Sequence, residues 1–352
     1  MSNARDILQR LVAIESLSGE EAEVAGVLSD LLLAGGLEVH RHEDNIWCSI
    51  GHGADTLLLN SHLDVVPASE GHPYPPFEPT EKDGWMYGRG TVDAKGSVSA
   101  MAATMLRLHA EGWQPPGGRL VGAFTTCEES GWPYNGLEQT RPHLPPVSAA
   151  IVGEPTDLKP CIAQKGILIL KLEARGVSAH AARPHLGRNA IEQAARDVVA
   201  LSRLVPEREH PVLGPVTIAS TVIQGGKVRN MIPDACEVDV DVRSTPAYTH
   251  EELVELIRSA VESEVVIHSD RLIPVDTPPH ADIVQAAMRA SGEAPFGSPT
   301  ASDWIFLSDV PAIKMGPGSS NLSHTKDERI SLAELDRAVD VYRRTVLNYF
   351  ES

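Results

Sequence analysis

Residues 56–64 read TLLLNSHLD, and this stretch decides the class of fold. Its first five residues, TLLLN, are apolar on both faces, which is typical of a strand buried within a parallel sheet. The polar end of the stretch places His62 and Asp64 at the end of that strand or just beyond it. Because open α/β sheets bind ligands at the carboxyl ends of their strands, we expect both side chains to lie at a functional edge.

Helices and strands alternate around this stretch. Residues 7–14 have helical apolar spacing, and Ser18 with Glu21 three residues later predicts a capping box that opens a second helix. Further strands are predicted at residues 37–41, 45–50, 120–126 and 149–152, and a further helix at 96–108. The alternation predicts an α/β domain in which helices flank a mostly parallel sheet.

The pattern changes after Lys165. Strand, helix, strand, strand and helix are predicted in turn at residues 167–174, 190–204, 216–224, 236–243 and 250–262. With a closing strand this is the β-α-β-β-α-β order of a ferredoxin-like unit. We therefore predict one large domain formed by residues 1–165 and 276–352, with a small domain, residues 166–275, inserted into it.

Composition excludes several classes of partner. The chain has 30 Lys and Arg against 48 Asp and Glu, a formal net charge of −18, which argues against nucleic acid and anionic membranes. The opening residues MSNARDILQR lack the apolar region of a secretory signal. The four cysteines lie far apart without a Cys-x-x-Cys pair, which argues against a cysteine-only zinc site or a redox motif. We expect a soluble, cytoplasmic protein.

Acidic and histidine side chains follow other predicted strands as well. They are Glu128, Glu129, Glu154 and His324, with Asp93 in the nearby GRGTVDAKG loop. Singly, each has an ordinary explanation: a histidine held by hydrogen bonds, a solvated acidic turn, a loop carboxylate, or a helix cap in the case of Asp93. Together they would crowd negative charge at one edge, where carboxylates raise one another's pKa unless cations intervene. The set predicts divalent metal ions.

The donor chemistry narrows the metal and the reaction. Imidazole and carboxylate without thiolate suit zinc, cobalt or manganese. Two ions about 3.5–4 Å apart need a bridging ligand and can clamp a water between them. A carboxylate that is not a ligand must then stay nearby to take the proton of that water. We expect two divalent ions, zinc first, and one carboxylate acting as a general base.

The motifs SHLDVVP, YGRGTVDAKG, TTCEES, VGEPT and GPGSSNLSHT resemble, in order and spacing, the di-zinc amidohydrolases. That family includes acetylornithine deacetylase, succinyl-diaminopimelate desuccinylase, aminoacylase and carboxypeptidase G, and the similarity covers essentially the whole chain. The resemblance implies that Asp93 bridges both metals. It also implies that His62 and Glu154 complete one metal site, and that Glu129 and His324 complete the other.

The same resemblance assigns roles beyond the ligands. Glu128 would be the general base, taking a proton from water and passing it to the leaving amine. Asp64 would orient His62, and the peptide bond after Asp93 would be cis. The implied reaction is hydrolysis of the amide bond of an N-acyl amino acid.

The inserted domain resembles the family's lid, which also carries a dimer contact. His180, in GVSAHAARP, would reach the site of a neighbouring subunit and polarise the scissile carbonyl. Asn230 and Arg243 would hold the substrate carboxylate and the developing oxyanion, a task for which the planar guanidinium is well suited. Taken singly, His180 is also compatible with a surface histidine and Arg243 with a surface ion pair. We expect a homodimer whose lid closes.

The resemblance favours one substrate and leaves several others open. FGSPTASDW and LGPVTIASTVIQGG resemble the acetylornithine deacetylase-like branch, which implies N-acetylornithine and arginine biosynthesis. QKG at residues 164–166 replaces the arginine-rich stretch of the desuccinylases, which argues against the diaminopimelate substrate. N-succinylornithine, N-acetyl-lysine, N-acetylcitrulline and a di- or aminopeptidase activity stay open. A non-catalytic binding module on the same fold is the rival from another class, and the presence of Glu128 argues against it.

Overall fold

The structure is a computed structural model that describes residues 3–130 and 134–351. The chain divides into two compact units. The first unit comprises Met1–Ile162, Thr277–Phe296 and Ser302–Ser352, and the second comprises Ala163–Asp276 and Gly297–Ala301. Each unit has its own apolar core.

The helices and strands of the described residues alternate along most of the chain. In chain order the α-helices are α1 (Ala4–Val12), α2 (Ala22–Ala34), α3 (Lys95–Ala110), α4 (Gly136–Thr140), α5 (Ala190–Arg203), α6 (His250–Ala260), α7 (Asp282–Ser291) and α8 (Leu332–Phe350). The strands are β1 (Val39–His42), β2 (Asn45–Gly51), β3 (Asp55–His62), β4 (Thr80–Lys82), β5 (Trp85–Tyr87), β6 (Gly118–Thr125), β7 (Ala149–Val152), β8 (Cys161–Gln164), β9 (Gly166–Arg175), β10 (Ala179–His180), β11 (Glu209–His210), β12 (Gly214–Pro215), β13 (Thr217–Gly225), β14 (Met231–Ile232), β15 (Ala235–Ser244), β16 (Glu264–Leu272), β17 (Val275–Asp276), β18 (Phe296–Ser298), β19 (Ala312–Lys314) and β20 (Arg329–Ser331). Single turns of 3₁₀-helix cover Arg141–His143, Pro184–Leu186, Asp303–Leu307 and Ser320–Leu322.

The large sheet of the first unit has a parallel centre. Its strands follow the order β1-β2-β6-β3-β7-β19-β8. The four central strands, β6, β3, β7 and β19, pair in parallel, whereas β1, β2 and β8 add antiparallel edges. All residues of β3 except Asp55 are buried, as its uninterrupted apolar run predicted. The predicted α/β class is confirmed, and the antiparallel strands lie outside the parallel core.

The parallel strands bring their carboxyl ends to one edge of the sheet. β3 ends at His62, β6 ends three residues before Glu128, and β7 ends two residues before Glu154. Helix α3 packs against β3, α8 and α1, and its many small residues allow it to be buried on nearly all sides. This packing fixes the start of α3, two residues after Asp93.

The predicted capping box is wrong. Helix α2 begins at Ala22, and its N-cap residue, Glu21, makes no side-chain capping hydrogen bond. The Ser18 hydroxyl donates to Asp64 instead, and the Glu21 carboxylate accepts from the backbone of Cys127. Both side chains therefore bind groups at the strand ends and leave the first N–H groups of α2 without a side-chain cap.

The second unit is an antiparallel sheet covered by α5 and α6. Its strands lie in the order β13-β15-β9-β16, so the chain follows the predicted β-α-β-β-α-β path, which is confirmed. Alternate residues of β9 and β15 are buried and form the core of the unit. Strand β13 lies at the edge of the sheet, and Val222 and Ile223 are 43% and 55% exposed there.

The structure also bears on membrane-spanning segments and on the cysteines. In the described part of the chain, no helix combines the length and the apolar character that crossing a membrane requires. Cys48, Cys127, Cys161 and Cys236 are all buried thiols.

Candidate metal centre

Six side chains predicted to act as metal ligands or as the base meet within the first unit. They are His62 at the end of β3, Asp93 before α3, Glu128 and Glu129 after β6, Glu154 after β7, and His324 between Ser320–Leu322 and β20. In two groups of three, the donor atoms all lie within 4.8 Å of one another: His62, Asp93 and Glu129, and His62, Glu128 and Glu154. Residues up to 262 positions apart in the chain therefore surround one small volume.

Asp93 is placed between two histidines. Its Oδ1 lies 3.3 Å from Nε2 of His62, and its Oδ2 lies 3.3 Å from Nε2 of His324. Around His62, the Glu154 Oε1 lies 3.7 Å from the same Nε2. Around His324, the Glu129 Oε1 lies 3.0 Å from Nε2. One carboxylate thus presents one oxygen to each of two imidazole–carboxylate pairs, which is the arrangement that a bridging ligand needs. The peptide bond between Asp93 and Ala94 is cis.

Burial makes this concentration of charge costly. Burial, followed by the charge of Asp93, raises the pKa of Glu154 to about 8. Burial also raises the pKa of Glu129 and lifts that of Glu128 well above its ordinary value, where the charge of Glu154 adds to it. In this protein such shifts mark a place where negative charge lacks compensation.

The histidines respond in the opposite sense. Burial alone would lower the pKa of His62, but hydrogen bonds to Asp64 and Asp93 hold that pKa well above its ordinary value. Hydrogen bonds to Asp93 and Glu129 raise the pKa of His324 to about 10. A bound divalent cation would supply the same positive charge and displace the imidazole protons. The donor set, imidazole and carboxylate in a buried cluster, therefore fits divalent metals such as zinc, cobalt or manganese.

Asp64 contacts three residues of the cluster through its buried carboxylate. One of its oxygens, Oδ1, lies 3.3 Å from Nδ1 of His62 and accepts the backbone N–H of Glu128 at 3.1 Å. The other, Oδ2, accepts the backbone N–H of Glu129 at 3.0 Å and the Ser18 hydroxyl at 2.7 Å. The side chain is fully buried, so these contacts fix its orientation. Asp64 therefore orients one imidazole and both consecutive glutamates.

Cys127 shapes the turn that presents the two glutamates. Its backbone adopts φ 54°, a conformation uncommon for residues other than glycine. The buried Glu21 carboxylate accepts the Cys127 N–H at 2.9 Å and so supports this conformation. Burial raises the pKa of the Cys127 thiol to about 12, which leaves the group protonated and unreactive.

The three remaining predicted residues belong to the second unit. His180 lies in β10, which pairs with β14, and the Ala181 N–H donates to the carbonyl of Asn230 at 2.9 Å, so His180 and Asn230 are neighbours. Arg243 lies near the far end of β15, eight residues beyond Ala235. Its guanidinium forms two hydrogen bonds to Asp241, of 2.8 and 3.1 Å. Their roles toward a substrate stay predictions.

Residues 58–348 match the sequence profile described as peptidase family M20/M25/M40. The chain belongs to this family. As an M20 protein it is a metal-dependent amidohydrolase.

The M20 relatives carry two different names. The chain is 32% identical over 333 residues to an acetylornithine deacetylase from Edwardsiella ictaluri, with 88% of this chain and 85% of the relative covered. It is 30% identical over 379 residues to a succinyl-diaminopimelate desuccinylase from Paracoccus denitrificans, with 97% of each chain covered.

Solved M20 structures share the fold. Aminopeptidase PepT from Bacillus cereus has a TM-score of 0.83 at 20% identity, over 99% of this chain and 98% of that one. A dinuclear metal-binding peptidase of family M20 from Bacillus subtilis has a TM-score of 0.77 at 16% identity, over 99% and 98% of the two chains. At this level of identity the likeness shows the fold.

Sequence reasoning missed several residues that support the M20 centre. Asp303 is buried in the first unit and accepts from Asn135 Nδ2 at 2.6 Å and from Thr125 Oγ1 at 3.3 Å. Burial raises the pKa of Asp303 to about 6. Through Thr125, the last residue of β6, this carboxyl fixes the strand end that leads to Glu128. FGSPTASDW contains Asp303, but nothing in that stretch indicates the contact with β6.

Proposed function

We propose that this M20 enzyme hydrolyses the amide bond of an N-acyl amino acid, with N-acetylornithine as the first substrate to test. The observation that carries the proposal is the position of Asp93, which offers one carboxylate oxygen to each of two histidines. Glu154 and Glu129 lie beside His62 and His324 respectively. This set would hold two divalent ions, zinc first and cobalt or manganese as alternatives.

The proposed chemistry assigns the proton to Glu128. When bound, two divalent ions would polarise the acyl carbonyl and lower the pKa of a water molecule. Glu128 lies beside the cluster, with its Oε2 4.0 Å from Nε2 of His62. Burial raises its pKa, so the carboxylate readily accepts a proton and can pass it to the leaving amine. The backbone N–H of Glu128 donates to Asp64, which keeps the base in place.

The residues of the second unit support a homodimer in this proposal. His180 and Asn230 lie near the end of β15 that begins at Ala235, and Arg243 lies eight residues along that strand. Eight strand residues span about 26 Å. That separation is long compared with an N-acyl amino acid, which favours the use of residues from two copies on one substrate. We propose that His180 and Asn230 serve the site of a partner copy.

Two acyl groups, acetyl and succinyl, are candidates for the substrate. The acetylornithine deacetylase relative favours N-acetylornithine. We propose with it a cytoplasmic setting and a role in arginine biosynthesis. The desuccinylase relative, of similar identity, favours a second candidate, an N-succinyl amino acid such as N-succinyl-diaminopimelate or N-succinylornithine. Both classes of substrate carry an α-carboxylate, which the Arg243 guanidinium is suited to bind. To do so, Arg243 would release its hydrogen bonds to Asp241.

A substrate panel with metal analysis tests the proposal. The protein is stripped with a chelator, reloaded with zinc, cobalt or manganese, and assayed on N-acetylornithine, N-succinylornithine, N-succinyl-diaminopimelate, N-acetyl-lysine, N-acetylcitrulline and dipeptides. We expect two equivalents of metal per chain, no activity in the stripped protein, and the highest kcat/KM on one N-acyl amino acid. Higher kcat/KM on dipeptides would replace the proposal with a peptidase. Two bound metals without hydrolysis of any substrate would favour a binding module.

A further inference from the structure

A buried ion pair lies directly behind the candidate metal centre. Arg89 Nη1 donates to Glu328 Oε2 at 2.6 Å, and each residue is only 1% exposed. The Arg89 Nε is buried without a hydrogen-bond partner in the structure. A buried ion pair adds little net stability compared with apolar residues of similar size, because both charges lose their hydration. The use of two charges at this position therefore needs a reason other than stability.

The Glu328 carboxylate holds the loop that carries Asp93. Its Oε1 accepts the backbone N–H of Val92 at 3.0 Å and that of Asp93 itself at 3.2 Å. The main chain of Glu328 contributes as well, because its carbonyl accepts the backbone N–H of Gly88 at 3.3 Å. The segment that ends at Asp93 thus donates to both the side chain and the main chain of Glu328.

Arg89 holds the loop that carries His324. Its Nη1 also donates to the carbonyl of Thr325, the residue after His324, at 3.4 Å. His324 has φ 62°, an uncommon conformation for a histidine, and its side chain is 52% exposed. Because packing constrains so exposed a side chain little, its placement depends on its contacts with Asp93 and Glu129 and on the backbone that Arg89 contacts.

We propose that Arg89 and Glu328 are positioning residues that set the separation of Asp93 and His324, and so tune the affinity of the metal position that His324 serves. The proposal rests on the proposed function only in so far as the chain binds two metal ions. His62 and Glu154, which lie at the other metal position, make no hydrogen bond to either residue among the contacts of the described chain. Loss of the pair should therefore affect the two metal positions unequally.

The test is a zinc titration of stripped protein against a competing chelator, for the wild type and for Glu328→Gln. Gln retains the size of the side chain and an acceptor for the two backbone N–H groups, but loses the charge that Arg89 needs. We expect one of the two zinc equivalents to bind about 10–100-fold more weakly, the range typical for residues that orient metal ligands. The other equivalent should change little.

His324→Ala identifies which equivalent is affected. It should weaken the same equivalent, and adding Glu328→Gln to it should cause little further loss, because both changes act through one ligand. Additive losses in the double variant would overturn the proposal.

A matched control lies in the second unit. Asp197 is a carboxylate 2% exposed that accepts the backbone N–H groups of Glu262 at 2.8 Å and Ser263 at 3.1 Å. Asp197→Asn repeats the loss of a buried charge away from the cluster, and should lower the melting temperature while leaving both zinc affinities unchanged.

A variant that fails to fold can be distinguished from one that folds but binds zinc differently. If Glu328→Gln does not fold by circular dichroism, Arg89→Lys, which keeps the charge but not the planar fork, is judged by the same inequality. Wild-type affinity for both equivalents in a folded variant, or an equal loss at both, would overturn the proposal. Two tight equivalents in a wild type that hydrolyses nothing would refute the proposed reaction and leave this inference intact.

Discussion

The hydroxyl of Ser18 donates a 2.7 Å hydrogen bond to Oδ2 of Asp64, across 46 positions of the chain. Asp64 in turn accepts the backbone N–H groups of Glu128 and Glu129. A residue in the loop before α2 therefore takes part in placing the proposed base and one proposed metal ligand. From this contact we expect Ser18 to act as a positioning residue for the M20 centre.

Ser18→Ala should reduce both turnover and stability. Asp64 keeps its two backbone donors, so we expect kcat to fall about 10-fold with metal content retained. The lost hydrogen bond to a charged group should lower the free energy of unfolding by about 1.5–3 kcal/mol. Steady-state kinetics and urea unfolding measure both effects.

Ser331→Ala is the matched control for that variant. Ser331 is a true N-cap, accepting the Glu334 N–H at the start of α8, and its loss should cost about 1 kcal/mol. Its kcat should stay at the wild-type value. If Ser18→Ala also left kcat unchanged, Ser18 would have no positioning role.

Local patterns predicted the fold well, because burial leaves a period in the sequence. The run TLLLN indicated a strand covered on both faces, and the order of strands and helices after Lys165 indicated the β-α-β-β-α-β unit. The three-stranded sheet β20-β5-β4 escaped prediction, because strands of three residues are too short to show any period.

The supporting contacts of the site could not be predicted in the same way. Ser18 and Glu21 have the spacing of a capping box, and that spacing is identical whether the side chains cap α2 or reach Asp64 and Cys127. Glu21 and Cys127 are 106 positions apart, so only the folded chain reveals the contact. Ligand types at strand ends could be recognised from the sequence, and the family resemblance supplied Asp64, but the contacts of Ser18, Glu21 and Asp303 could not be predicted.

Glu128→Gln and Glu129→Gln should separate proton transfer from metal binding. Glu128→Gln removes the proposed base, so kcat should fall about 10²–10⁴-fold while metal content stays near two equivalents. Glu129→Gln removes a proposed ligand beside His324 and should lose one equivalent. Elemental analysis measures the metal content of each variant, and steady-state kinetics on the best substrate measure kcat. Most of the activity surviving in Glu128→Gln would mean that another group is the base.

The metal-free protein should become less stable as the pH rises from 5 to 7. Burial, then the charge of Asp93, raises the pKa of Glu154 to about 8, against 4.5 for an ordinary glutamate. In this window the folded protein keeps a proton that the unfolded chain has lost, so the free energy of unfolding falls by up to about 1.4 kcal/mol per pH unit. His324, with its pKa raised to about 10 by Asp93 and Glu129, acts in the same direction.

Thermal unfolding of stripped protein at several pH values measures this effect. Glu154→Gln has no such proton to lose, so its melting temperature should depend less on pH than that of the wild type. Added zinc should stabilise the wild type more at pH 7 than at pH 5, because metal and protons compete for the same donors. A melting temperature that rises between pH 5 and 7 in the stripped wild type would contradict the assignment.

Charging the edge of the second unit should separate the proposed dimer into monomers and lower activity. Val222 and Ile223 lie exposed on the edge strand β13, and an exposed apolar edge is a ready pairing surface. The double change Val222→Lys with Ile223→Lys places charges there, so light scattering should report monomers. Activity should fall because His180 could no longer reach a partner's site, while zinc binding stays intact. Val205→Lys, at a residue 75% exposed outside the sheet, should leave both mass and activity unchanged. A monomeric double variant with full activity would place His180 in the site of its own chain, or outside the reaction.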